Sequence, residues 1–168
     1  MGTDRHKAKA PRHLRVGVLT VSSSRGLAED ESGRWIARTA SAEGHTVVFH
    51  QVVGDDAAAI AHTLTASLTA HRPDAVIVDG GTGPAKADVT IEALRPLFDK
   101  ELTAFGVLFA QLSFEQIDSA AILSRAAAGI VAGTVVFCLP GSLNACRLAC
   151  QELIFPELGH IVGHLRHG

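Results

Sequence analysis

Four short stretches of this chain are rich in apolar and β-branched residues without strict alternation of apolar and polar positions. They are LRVGVLTV (14–21), HTVVFHQVV (45–53), DAVIV (74–78) and TVVFCLP (134–140). A strand with one wet face alternates; a strand without alternation is buried on both faces, as in a parallel sheet covered by helices. The segments between them read as those helices. SGRWIARTASAEG places Trp35, Ile36, Thr39 and Ala40 on one helical face and stops at Gly44. GDDAAAIAHTLTASLTAH opens on aspartates and repeats Ile60, Leu64 and Leu68 every four residues. Helices are also expected over 88–97 and 103–117, the latter with a stripe of Phe105, Leu108, Phe109 and Leu112. GSLNACRLACQELI reads as one more helix, and PELGHIVGHL as a last one with Pro156 at its start. AAILSRAAAGIVAG is ambiguous between alanine-rich helix and hairpin. The pattern predicts an α/β fold, with residues 14–168 as one domain.

Ligands of such sheets bind beyond the carboxyl ends of the strands. Three loops fall there: Ser22–Arg25, Gly80–Gly83 and Pro140–Ser142. The middle one, in IVDGGTGPAKADVT (77–90), sets three glycines and a threonine directly after a strand. Bare backbone at a strand–helix junction favours an anion. The two commonest phosphate loops are excluded on spacing. There is no G-x-x-x-x-G-K-[ST], and Lys86 stands where a G-x-G-x-x-G would need its third glycine. Asp88 beside an anion cradle is unfavourable unless a cation such as Mg²⁺ lies between them. Capping of the following helix by Asp88 is the simpler use, and the residues alone leave both open.

Composition narrows the partners. A formal net charge of -2 gives no reason to expect nucleic acid. No apolar run approaches the ~20 residues that span a membrane, and the basic MGTDRHKAKAPRH has no apolar centre, so a cytoplasmic protein with a mobile 1–13 tail is expected. Three cysteines without C-x-x-C argue against a disulfide framework or zinc ribbon. Cys146 and Cys150 would share one helix face, as core residues. His160 and His164 have the spacing of metal ligands on a helix, but no third ligand is evident and a solvated helix face is the preferred reading.

The chain resembles the MoaB/MogA proteins of molybdenum-cofactor biosynthesis. The resemblance rests on GVLTVS, SG at 32–33, GH at 44–45, DD at 55–56, GGTG, DVTIEALRPLFDKE, LSFE, ILSRAAAGI, VFCLPGS and PELGHIVG. DVTIEA and RPLFDKE look more like the MoaB branch. The resemblance implies a three-layer sandwich around a mostly parallel sheet with one antiparallel strand, which would pair ILSRAAAGI with TVVFCLP in a hairpin. It implies molybdopterin as substrate or ligand, ATP as cosubstrate with Mg²⁺, and a homotrimer or homohexamer. By position it implies Asp55 and Asp88 as the acids needed for activity, with Asp88 as the Mg²⁺ ligand. It implies Ser22, Arg25, Gly80, Gly81, Thr82, Gly83, Lys86, Thr90, Gly141 and Ser142 as ligand-binding positions.

Several positions depart from the family pattern. Its S-D-T-R loop reads Ser22-Ser23-Ser24-Arg25, and the Arg-Asp closing the glycine loop reads Ala87-Asp88. Val107 and Ala110 replace an acid and a base, and Leu143 a proline. Two readings follow: a molybdopterin adenylyltransferase, or a non-catalytic pterin- or nucleotide-binding oligomer with a degraded site.

Overall fold

A computed structural model describes residues 11–167. Six strands form one sheet in the order β2-β1-β3-β6-β5-β4. They are β1 (Arg15–Val21), β2 (Thr46–Val53), β3 (Ala75–Asp79), β4 (Lys100–Glu101), β5 (Ala127–Val131) and β6 (Thr134–Leu139). β2, β1, β3 and β6 pair in parallel, and β5 runs antiparallel to both of its neighbours. The helices are α1 (Glu31–Ala42), α2 (Ala57–His71), α3 (Thr90–Leu94), α4 (Thr103–Ile117), α5 (Leu143–Ala149) and α6 (Phe155–His167). The fold is α/β, a mostly parallel sheet with one antiparallel strand and helices on both faces.

The absence of alternation in the strands has its cause in two cores, one on each face. Val16, Val18, Ile77 and Phe137 pack with Ile36 of α1, Phe109 of α4, Cys146 of α5 and Leu158 of α6. Leu19, Val21, Val76 and Val78 pack with Ile60 and Leu64 of α2 and with Ile91 and Leu94 of α3. Cys138, Cys146 and Cys150 are fully buried free thiols. Burial pushes Cys138 up to about 12, and raises the other two as well.

Four expectations change. The 88–97 helix is shorter: α3 spans Thr90–Leu94 and a 3₁₀ turn follows over Arg95–Leu97. In the α4 stripe, Phe105 and Phe109 are buried but Leu108 is exposed. The last two helices are one: a π-turn at Cys150–Ile154 joins α5 to α6, and the Phe155 N–H bonds Cys150 O. Pro156 has no N–H, and its ring conflicts with a regular helical carbonyl at Glu152; the wider turn accommodates both. The hairpin is present as β5–β6, but Asp118–Leu123 ahead of it form a 3₁₀ helix, so ILS lies outside the strand.

Part of the segment expected as a tail falls within the described residues. His13 Nδ1 donates to Gly44 O at 2.7 Å, which ties that residue to the α1–β2 turn. Residues 1–10 lie outside those described. Among the described residues no helix is long and apolar enough to cross a membrane.

Candidate functional site

The parallel strands all end at one edge, so the turns after β1, β2, β3 and β6 are brought together. They enclose a cleft of about 360 Å³ lined by Ser22, Arg25, Asp55, Gly80, Asp88 and Gly141, with Gly81 and the rest of the serine loop between them.

The glycine loop is held from inside. Gly80 and Gly81 both have positive φ (+96° and +63°), a region that favours glycine. A Cβ on Gly80 would collide with Val21 O, and one on Gly81 would lie 2.5 Å from Thr90 Oγ1. Thr90 clamps the turn twice, donating Oγ1–H to Gly80 O at 2.7 Å and N–H to Gly81 O at 2.9 Å. The Gly80 N–H is itself committed to Leu139 O, which ties the loop to β6. Arg125 donates from the approach to β5 to Gly83 O at 3.0 Å and forms an ion pair with Glu92. The Arg125 hydrogen bond to Glu92 holds the Glu92 carboxyl below the usual range.

Two carboxylates flank this loop. Asp88 does not cap α3, whose N-cap is Val89 and lacks a side-chain bond. Its Oδ2 instead accepts from the Ala85 N–H at 3.0 Å and would lie 2.7 Å from a Cβ at Gly83. Asp55 Oδ1 would lie 3.3 Å from a Cβ at Gly81. Asp55 and Ser23 bond reciprocally: Ser23 N–H donates to Asp55 Oδ2 at 2.8 Å, and Asp55 N–H to Ser23 Oγ at 2.9 Å. The third loop is fixed by Ser32 Oγ–H donating to Gly141 O at 2.9 Å.

Of the residues predicted from sequence, Ser22, Arg25, Asp55, Gly80, Gly81, Asp88 and Gly141 line the cleft. The others do not. Thr90 is fully buried as the loop's clamp. Thr82 is 1% exposed, and its hydroxyl has no hydrogen-bond partner among the described residues. Ser142 caps α5, its Oγ accepting from the Ala145 N–H. Gly83 is held by Arg125 through its carbonyl, and Lys86 is exposed in the turn that follows. Val107 and Ala110 lie on α4, away from the cleft lining. His160 and His164 sit on α6 with Nε2 atoms 3.1 Å apart and Glu157 at His160 Nδ1. Among the described residues no group of three His, Cys, Asp or Glu gathers as a metal site. Sequence reasoning missed the roles of Arg125 and Ser32; the only signals were their places in ILSRAAAGI and in the SG pair.

A mostly parallel sheet whose carboxyl edge carries a positive-φ glycine loop between two carboxylates defines an α/β protein with its candidate site at the strand ends. Residues 17–160 match the family described as "Probable molybdopterin binding domain", and the chain belongs to that family. It is 44% identical over 167 residues to molybdenum cofactor biosynthesis protein B of Bacillus subtilis (strain 168), covering 99% of this chain and 98% of that one. It is 41% identical over 172 residues to a molybdopterin adenylyltransferase of Pyrococcus furiosus, covering 99% of both. A crystal structure of molybdenum cofactor biosynthesis protein B superposes with a TM-score of 0.91 at 42% identity, covering 95% of this chain and 100% of that one. The tungsten cofactor synthesizing protein MoaB of Pyrococcus furiosus superposes with 0.85 at 39% identity, covering 94% and 99%.

Proposed function

We propose that this chain is a molybdopterin adenylyltransferase of molybdenum-cofactor biosynthesis, a cytoplasmic enzyme acting on small molecules. A terminal phosphate oxygen of molybdopterin attacks the α-phosphorus of ATP; the bond to the β-phosphate oxygen breaks and pyrophosphate leaves. The observation that carries the reading is the convergence of Asp55 and Asp88 on the glycine loop, from two different strand ends. Two acids at an anion cradle suit a phosphate bound with its cation.

The donor set fits Mg²⁺. Asp55 and Asp88 offer hard carboxylate oxygens, and Mg²⁺ is commonly held by one or two carboxylates, with waters and substrate phosphates completing the shell. Asp88 would be its principal ligand, with Asp55 beside it. Bound there, the ion would neutralise charge on the reacting phosphates. The chain's own contribution is preorganisation. Thr90, Arg125 and the Leu139 carbonyl fix the glycine loop before ligand arrives, so little reorganisation is left for the transfer step.

The non-catalytic alternative draws on neutral residues at positions 23, 87, 107 and 110. Only position 23 lines the cleft, and there Ser23 is bonded to Asp55. Val107 and Ala110 are helix-surface positions of α4. A homotrimer or homohexamer is proposed on a further observation. Val107, Leu108, Phe114, Ile117, Ile122 and Leu123 form an exposed apolar series along α4 and the 3₁₀ turn after it. Such a series suits an interface.

The test is direct: purified protein with molybdopterin, ATP and Mg²⁺, and adenylylated product detected by mass. Product above a protein-free control is expected. Molybdopterin binding without product would establish the non-catalytic alternative instead.

A further inference from the structure

Directly before the glycine loop, at the end of β3, lies a buried acid that the proposed reaction does not use. Asp79 is 1% exposed, on the face of the sheet opposite α2 and α3. Thr20 of β1 stands between it and a second buried acid. Thr20 Oγ1 is 2.8 Å from Asp79 Oδ2 and 2.6 Å from Asp30 Oδ2. A threonine hydroxyl carries one hydrogen and can donate to only one of these oxygens. Two carboxylates sharing it would leave one close contact without a proton.

The surroundings decide which acid is ionised. Asp30 has donors on both oxygens: the Gly33 N–H at 2.9 Å on Oδ1, and His50 Nε2 at 2.7 Å on Oδ2 beside Thr20. Burial works to raise Asp30, but the Thr20, Gly33 and His50 hydrogen bonds together outweigh it and hold the carboxyl low. Among the described residues, the Asp79 side chain has Thr20 as its one hydrogen-bond partner. Burial pushes it up to about 7 against the Thr20 bond, and the Asp30 charge adds to the rise.

We propose that Asp79 is held as the neutral acid and donates to Thr20, which donates to Asp30, and that this chain of hydrogen bonds makes Asp79 a positioning residue for the glycine loop. The linkage crosses three elements: the end of β3, the end of β1 and the N-terminus of α1. Gly80 follows Asp79 directly, so the anchor of the loop and the protonation of the acid are coupled. Ionised, Asp79 would face the Asp30 charge across one hydroxyl with no hydrogen to share. The other groups that feel its charge are Arg25 from the first loop, Cys146 from α5 and Cys150 from the π-turn, with His50 beyond Asp30.

The sign follows from linkage. A carboxyl whose folded pKa is raised retains a proton that the unfolded chain has released, so stability declines as pH rises from about 4 towards 7. Asp79→Asn keeps a donor and cannot ionise.

The test has three readouts, two of them independent of the proposed reaction. In wild type labelled with ¹³C at aspartate carboxyls, one resonance should titrate near pH 7 and the rest in the acidic range. Aspartates that all titrate in the acidic range would overturn the proposal without any variant. The gap in melting temperature between Asp79→Asn and wild type should widen in the variant's favour from pH 4 to pH 8; a gap that does not move with pH would overturn it. The transfer readout alone rests on the proposed function. The wild-type ratio of transfer at pH 8.5 to that at pH 6.5 should be several-fold below the Asn variant's, and Asp79→Leu should lose transfer at both. Equal ratios would overturn the positioning role. No transfer in any form, with the first two results intact, would count against the proposed reaction and leave Asp79's protonation standing.

Discussion

Gly81 pairs a backbone φ of +63° with a neighbour, Thr90 Oγ1, where its Cβ would be. Alanine there meets strain and a clash at once. Gly81→Ala should lower stability by about 1–3 kcal/mol, read by thermal melting, and weaken anion binding with it. Asp88→Ala should leave the melt nearly unchanged, because the lost contact is one hydrogen bond to an exposed loop amide. Adenylyl transfer should fall by at least roughly a hundredfold, the scale of losing a charge-stabilising group in an active site. Retained turnover in that variant would sink the assignment. These residues were legible because the glycines and Asp88 lie within one short stretch. Arg125 and Ser32 were not, since they bond carbonyls 42 and 109 positions away in the chain. Asp79 was hidden for another reason: next to a valine run it reads as a strand ending, and only the fold places Thr20 and Asp30 against it.

At the scale of elements, the parallel core was readable because burial on both faces removes alternation, and that signal needs no knowledge of partners. The β5 region was ambiguous from the residues alone, open to helix or hairpin. Ala127, Ala128 and Gly129 have poor strand propensity, yet the Phe98 ring lies where a Cβ on Gly129 would be, so the site demands a small residue. Packing overrides propensity there. The α5–α6 junction misled in the opposite sense, since proline usually marks a boundary and here the π-turn absorbs it. Arg125 is the tie between the β5 approach and the glycine loop. Arg125→Lys should not rescue the loss seen in Arg125→Ala, because an ammonium lacks the planar fork that reaches Gly83 O and Glu92 together. Ligand affinity, measured by calorimetry, should drop roughly tenfold to a hundredfold in both variants, the scale of one charge-assisted hydrogen bond.

For the whole molecule, Asp30 gives a second pH dependence, opposite in sense to that of Asp79. Its folded carboxyl is held below the ordinary 3.8, so its stabilisation is present above that value and is lost as pH falls through the folded pKa. Asp30→Asn should therefore be less stable than wild type at pH 7, with the deficit shrinking in strongly acidic solution, as followed by melts across pH. The assembly has its own test. Ile122 is 86% exposed, and Ile122→Asp should shift the protein to monomers in light scattering if that surface is an interface.

The three cysteines have a use that no reaction gives them. All are sealed in the cores at 0% exposure, so an alkylating reagent in excess finds nothing to attack while the chain stays closed. Each labelled molecule, counted by mass, then records one opening event. The sulfurs serve as a built-in stopwatch: Cys138 times the opening of the face covered by α2 and α3, and Cys146 and Cys150 that of the face covered by α1 and α6. Three labels arriving together would mean that the sheet gives way as one body; a lag between them would reveal which side lets go first.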